Sequence, residues 1–150
     1  MSSGKNTLIT LRRLDAGDGV VMKPVRMYHG EEIYAAVEAN RDSLGEWLPW
    51  VPGVKSLADT RNFIRASMEQ HDNGVAVHLA VWAAGTFAGV TGLHELDWDN
   101  ARTSIGYWLA GHARGRGVMT ACVKALTDLA LCDLKLNRVE IKCAVGNAPS

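Results

Sequence analysis

The sequence predicts an α+β fold, a mixed and mostly antiparallel sheet flanked by helices, and three observations carry that expectation. Val75, Val77, Leu79 and Val81 alternate, and after an Ala84-Gly85 turn the segment Phe87 to Leu93 returns beside them as an antiparallel neighbour. Thr103 to Leu109 then forms a strand that leads through a glycine loop into an amphipathic helix and a last strand, a single β-loop-α-β unit. The chain has 150 residues and is 47% hydrophobic, enough for one domain with a real core and too little for two ordinary ones. Antiparallel strands followed by one such unit argue against a doubly wound dinucleotide fold.

Taken in order, Leu8 to Leu14 and Val20 to Val25 flank the turn-rich DAGDG and read as a hairpin ending near Pro24, or as an N-terminal arm followed by one strand. From Glu31 to Leu44 the residues Ile33, Ala36, Val37, Asn40 and Leu44 recur at helical spacing, and Gly45 and Pro49 close the segment. Trp47 to Pro52 makes a stiff aromatic bend. A second helix runs from about Ala58 to Gln70 with Phe63, Ile64 and Met68 as its apolar stripe. Asp97, Asp99 and Asn100 mark the turn before the Thr103 strand. The helix from Val118 to Leu136 buries Met119, Cys122, Val123, Leu126, Leu129 and Ala130 and exposes Lys124, Asp128 and Lys135. In the last strand Val139, Ile141, Cys143 and Val145 share one face, and Arg138, Glu140 and Lys142 the other.

Charge and composition narrow the function. Sixteen basic residues balance sixteen acidic ones, so no global field attracts nucleic acid or an anionic membrane, and a small ligand or a local protein contact is expected. The opening MSSGKNTLITLRRL lacks the apolar centre of a signal peptide, and no run approaches the roughly 20 apolar residues of a membrane span. A cytoplasmic protein is expected. Cys122, Cys132 and Cys143 are odd in number and set among apolar neighbours, as reduced core thiols are. His29, His71, His78, His94 and His112 show no metal-ligand spacing, so no metal is expected.

The chemistry concentrates in IGYWLAGHARGRGVMT, Ile105 to Thr120. Gly115 and Gly117 let backbone approach a ligand closely, the helix that follows offers free N–H groups and a positive dipole end, and Arg114 and Arg116 add charge: an anion cradle. A Walker loop requires Lys and then Ser or Thr after the last glycine, and here Val118 and Met119 follow Gly117. A dinucleotide fingerprint remains an alternative, although the run ends Gly117-x-x-Thr120 and Glu140 is its only acidic partner. The third pattern is Arg or Gln, two residues, Gly, one residue and a small residue, which Arg114 to Met119 fits except for Met119 itself. That pattern resembles motif A of the GNAT acetyltransferases. GLHELDWDN, IGYWL, GRGVMTACVKAL and NRVEIKC follow in that family's order, and EWLPWV at Glu46 to Val51 is similar to a segment of its RimL-type ribosomal-protein serine N-acetyltransferase branch.

The resemblance implies the GNAT acyl-CoA N-acyltransferase fold, acetyl-CoA as co-substrate and an amine acceptor, either a protein N-terminal α-amino group or a small amine, attacked directly in a ternary complex. The pyrophosphate would be held by backbone N–H groups of Arg116, Gly117, Val118, Met119 and Thr120, beside Arg114 and Gly115, and the pantetheine arm by main-chain contacts of Leu109. The Leu109 N–H would also stabilise the oxyanion. NAPS looks like the family's Asn-x-x-Ser element, with Asn147 on the cofactor and Ser150 as the acid for the leaving thiolate.

Several relatives carry Glu just before IGYWL, where this chain has Ser104, which cannot act as a base. His94, Glu95 and Asp97, at the end of a predicted strand, are the base candidates, or else structural and turn residues. Trp47 and Trp50 either line the acceptor pocket or pin the first two helices together. The resemblance also implies a further helix, a strand pair and a Gly-Phe turn after NAPS. The 150 residues are therefore expected to form a single incomplete domain whose Val139 to Val145 edge is covered by homodimerisation or strand exchange. A CoA-binding module without turnover and a domain for another nucleotide stand as alternatives.

Overall fold

The computed structural model describes residues 3–142; Cys143 and the NAPS segment, with Asn147 and Ser150, lie outside the described residues. The chain opens with helix α1, Ser3–Ile9, and then forms strands β1, Leu14–Gly17, and β2, Val20–Pro24. Helices α2, Gly30–Ala39, α3, Arg41–Gly45, and α4, Leu57–Asp72, precede β3, Val77–Ala83, β4, Thr86–Asp97, and β5, Arg102–Leu109. Helix α5, Val118–Asp128, leads to β6, Arg138–Ile141. The six strands lie in sequence order in one sheet, antiparallel except for the β5–β6 pair. This is the expected α+β architecture.

Period-two alternation sends side chains to two separate cores. Val77, Leu79, Val81, Leu93 and Ile105 are fully buried against Leu8 and the α5 residues Cys122 and Leu126. On the opposite face Ala80, Val90 and Trp108 pack with Ile33 and Val37 of α2 and Ile64 of α4. Burial on both faces makes the sheet a rigid partition, and the functional groups are distributed along it. The turns follow their chemistry: Asp18 and Gly19 take φ of 52° and 78°, and Ala84 and Gly85 take 50° and 80°, the twist-matched geometry of two-residue hairpins.

Four expectations are corrected. The Leu8 segment is helical, not extended, because Leu8 is buried in the core and its carbonyl accepts a 2.7 Å hydrogen bond from His71 Nε2. Tertiary contacts thereby override a weak alternation. The single helix expected over residues 31–44 breaks at Asn40, which leaves the helical region (φ −121°, ψ 20°). Phe63 does not belong to the buried stripe of α4: it is 38% exposed and lies edge-on to His78. The helix expected over 118–136 loosens after Asp128 into a π-helical turn, Leu129–Asp133, which leaves Cys132 exposed while Cys122 remains buried.

Strand β6 borders the sheet among the described residues, and Ile141 on it is 54% exposed. No helix of the described residues is long and apolar enough to cross a membrane.

Candidate active site

The site is organised by β5 and the loop that leaves it. The Ala110 N–H donates to the Ala88 carbonyl at 2.8 Å, so even-numbered residues at this end of β5 bond toward β4. Ile105 has the other parity and accepts from the Lys142 N–H at 2.9 Å, on the β6 side. Leu109 shares Ile105's parity, and the described β5–β6 register stops at Ile105 opposite Ile141. The Leu109 N–H is thus directed to the β6 side of β5, away from the β4 ladder, the orientation required of a backbone donor to a bound ligand.

After Leu109 the chain makes a short turn, Gly111–Ala113, whose Gly111 N–H is held at 2.8 Å by Asn40 Oδ1. The break in the α2–α3 helix therefore has a use: the side chain released there fixes the start of the loop. Gly115 and Gly117 adopt left-handed φ of 73° and 74°, and a Cβ added at either would meet no atom within 4 Å. Their requirement is conformational, and the space before them is open.

Gly117 caps α5 and its carbonyl takes the Ala121 N–H, so the N–H groups of Val118, Met119 and Thr120 begin the helix with no acceptor within it. No acidic residue occupies that first turn, and Arg114 and Arg116 are exposed beside it, outside every ion pair among the described residues. Met119, the departure from the small-residue position, is 7% exposed and points into the core instead of the cradle.

On the face of the sheet covered by α2 and α4 lies a cavity of about 570 Å³. Its walls include Trp47, Trp50, Phe63 and Trp108, and its floor His78, His94 and Gly106. The His94 ring lies over Gly106, where a Cβ would approach His94 Cε1 to 2.8 Å, and stacks on His78 with centroids 4.6 Å apart. His94 Nε2 is buried and has no partner among the described residues. Burial lowers the pKa of His94, with the nearby Glu95 opposing and Lys142 assisting, while burial and the His94 ring bring His78 down to about 4. Both rings are neutral at physiological pH. A neutral imidazole whose buried Nε2 has no partner among the described residues retains a lone pair that can accept a proton.

Gly106→Ala tests that geometry. Its methyl group displaces the His94 ring from His78, and the imidazole resonances of both histidines are expected to shift, which NMR checks.

The acetyltransferase (GNAT) domain matches this chain over residues 20–150. The chain belongs to the GNAT acetyltransferase family. It is similar to the YdaF protein of Bacillus subtilis (strain 168), with 32% identity over 147 residues, 97% of this chain and 74% of that protein. With the ribosomal-protein-serine acetyltransferase of Escherichia coli (strain K12) it shares 26% identity over 137 residues, 91% of this chain and 76% of that protein.

Among solved structures, the microcin C7 self-immunity acetyltransferase MccE in complex with acetyl-CoA and AMP gives a TM-score of 0.84 at 25% identity, over 94% of this chain and 78% of that one. RimL, the ribosomal L7/L12 α-N-protein acetyltransferase in complex with coenzyme A, gives 0.86 at 24%, over 91% and 77%, and shares the fold. The expectation of a C-terminally truncated domain is not borne out by these matches: the YdaF alignment takes in 97% of this chain and 74% of that protein.

Within this GNAT domain the structure separates the residues singled out from sequence. Leu109 ends β5, and Arg114 to Thr120 form the loop and the first turn of α5. Trp47, Trp50 and His94 converge on the cavity. Glu95 does not line it: at φ 52°, in the irregular register between His94 and Asp97, its exposed carboxylate turns to the rim and pairs with Lys142, whose ammonium lowers its pKa. Asp97 accepts the Asn100 N–H at 3.0 Å and its Nδ2 at 2.9 Å, a turn clamp. His78, Trp108, Phe63 and Asn40 were not singled out as site residues. Their signal lay in cross-strand register and helix breakage, which spacing along one chain does not carry.

Proposed function

We propose that this GNAT domain transfers the acetyl group of acetyl-CoA to an amine, a protein N-terminal α-amino group in the first instance, by direct attack in a ternary complex. The observation that carries the reading is that one strand, β5, serves both halves of the reaction. Its end leads into the anion cradle, and its Gly106 and Trp108 line the aromatic cavity.

The chemistry divides among named groups. The N–H groups of Arg116 to Thr120, with Arg114 and Gly115, hold the pyrophosphate, and Leu109 holds the pantetheine and the thioester carbonyl. The amine nitrogen bonds to the carbonyl carbon, His94 Nε2 takes the proton it sheds, and the tetrahedral oxyanion meets the Leu109 N–H. Collapse breaks the C–S bond, and the thiolate leaves with a proton. The family resemblance gives that last donation to Ser150, and a cofactor contact to Asn147. Desolvation in the apolar cavity also lowers the pKa of the incoming ammonium and supplies the neutral nucleophile.

In this reading residues 1–150 act as one N-acetyltransferase domain in the cytoplasm, as a homodimer that covers the β6 edge and Ile141, and need neither nucleic acid nor membrane. Light scattering is expected to return the dimer mass, and a stable monomer would contradict that part. The activity itself is tested by following free thiol released from acetyl-CoA with and without peptide amines. Amine-dependent release is expected. Saturable acetyl-CoA binding with no release for any amine would favour the CoA-binding module instead.

A further inference from the structure

Resting on the acetyl-transfer reading, we infer that the acceptor carries a bulky, uncharged apolar group directly beside its amine, and that the aromatic cavity holds this group. A chain beginning with Phe or Leu, or a small arylalkyl amine, has that chemistry.

The walls make the first argument. Trp47, Trp50, Phe63 and Trp108 surround about 570 Å³, a volume within the usual range for small-ligand pockets, and among the described residues no Asp or Glu lines it. An acceptor with a second ammonium would bury that charge without a carboxylate to receive it. The one charged residue lining the cavity among the described residues, Lys142, is engaged by Glu95. Trp50 and Trp108 lie against each other, centroids 6.4 Å apart and tilted 54°, so their faces do not close around a point as a cage for a quaternary ammonium does.

The polar inventory makes the second. The Thr91 hydroxyl is committed to the Gly106 carbonyl at 2.9 Å, and His78 Nε2 to Gln70 Oε1 at 3.0 Å. A seryl side chain brought into the cavity would add one hydrogen bond at most and leave the four aromatic walls largely uncovered, whereas a large apolar group covers them. His94 Nε2 is a buried ring nitrogen without a hydrogen-bond partner among the described residues, and it is assigned to the reacting amine, not to a side chain. The transfer balances as before: N–C forms, C–S breaks, and the proton shed by the amine ends on the coenzyme sulfur after passing through protein groups.

The test separates specificity from turnover. Tryptophan fluorescence of the full chain with CoA present is titrated with phenethylamine, with short peptides beginning Phe, Leu or Ser, and with spermidine. The same amines are then offered acetyl-CoA. The apolar amines are expected to bind at least about tenfold more tightly than the seryl peptide or spermidine, as burial of one large side chain implies, and the peptide and phenethylamine arms tell the two sources apart.

Trp50→Ser and Phe63→Gln change partly exposed side chains, 43% and 38% accessible, so the fold tolerates them. Each is expected to reduce the apolar preference several-fold. Equal or tighter binding of the seryl peptide or spermidine overturns the inference, as does the absence of binding by every amine. Selective binding of apolar amines without acetylation upholds it and counts against the acetyl-transfer reading instead.

Discussion

His94→Ala is expected to lower kcat/KM about a hundredfold to several-thousandfold, the range general-base catalysis supplies, while the acetyl-CoA Kd stays within about twofold. The ring lies on the cavity floor, and not in the loop that begins after Leu109. Removing it takes away the proton acceptor without touching the cradle. The pH dependence fixes the assignment. Burial is the largest cause and pulls the His94 pKa below 6.5, so the neutral, competent form persists from neutral pH downward and is lost only as pH falls through that lowered value.

The wild-type profile should therefore be flat around pH 7 to 8, with an acid limb centred below about 6.5. In His94→Gln the limb is lost. Glu95→Gln removes the neighbour that raises the His94 pKa, so the limb moves to lower pH and the rate at neutral pH holds. A rate abolished in Glu95→Gln and preserved in His94→Ala would reverse the assignment.

Gly117→Val should weaken acetyl-CoA binding about a hundredfold, equivalent to roughly 2.7 kcal/mol. The left-handed backbone at φ 74° costs a β-carbon about 1–2 kcal/mol, and the side chain enters the open space where phosphate approaches, at the expense of charge-assisted hydrogen bonds worth about 1.5–3 kcal/mol each. Gly85→Val is the matched control. Gly85 has φ 80°, also with no atom within 4 Å of an added Cβ, but it sits in the β3–β4 hairpin turn. Both variants should lose a few degrees of Tm from backbone strain, and only Gly117→Val should lose acetyl-CoA. Equal loss of affinity in both would mean the loop is not the cradle.

What the sequence made legible is what local chemistry determines. Alternation at Val77, Leu79 and Val81 is read from one strand alone, and the glycine spacing at Gly115 and Gly117 states a backbone requirement that no other residue meets without strain. The open glycine loop was legible for that reason. The aromatic cavity could not be assembled in the same way, because it depends on register: Gly92 opposite both His78 and Gly106 is what brings the rings of His78 and His94 together.

Glu95 and His94 are adjacent in sequence, yet the irregular register after His94 turns one to the rim and keeps the other in the cavity. The helix break at Asn40 was hidden for a related reason. Its spacing suits an apolar stripe, and only the distant Gly111 N–H reveals why a polar side chain is needed there. Trp47 and Trp50 were compatible with core or pocket, and the structure places both in the cavity lining.

Calorimetric titration of the 150-residue chain with acetyl-CoA, with NAD and ATP as controls, tests the central claim most directly. Saturable one-to-one binding of acetyl-CoA, absent or far weaker for NAD and ATP, is the predicted result. A folded protein that ignores acetyl-CoA, or prefers either control, would contradict the assignment of the Gly115 to Thr120 loop and the acetyl transfer built on it.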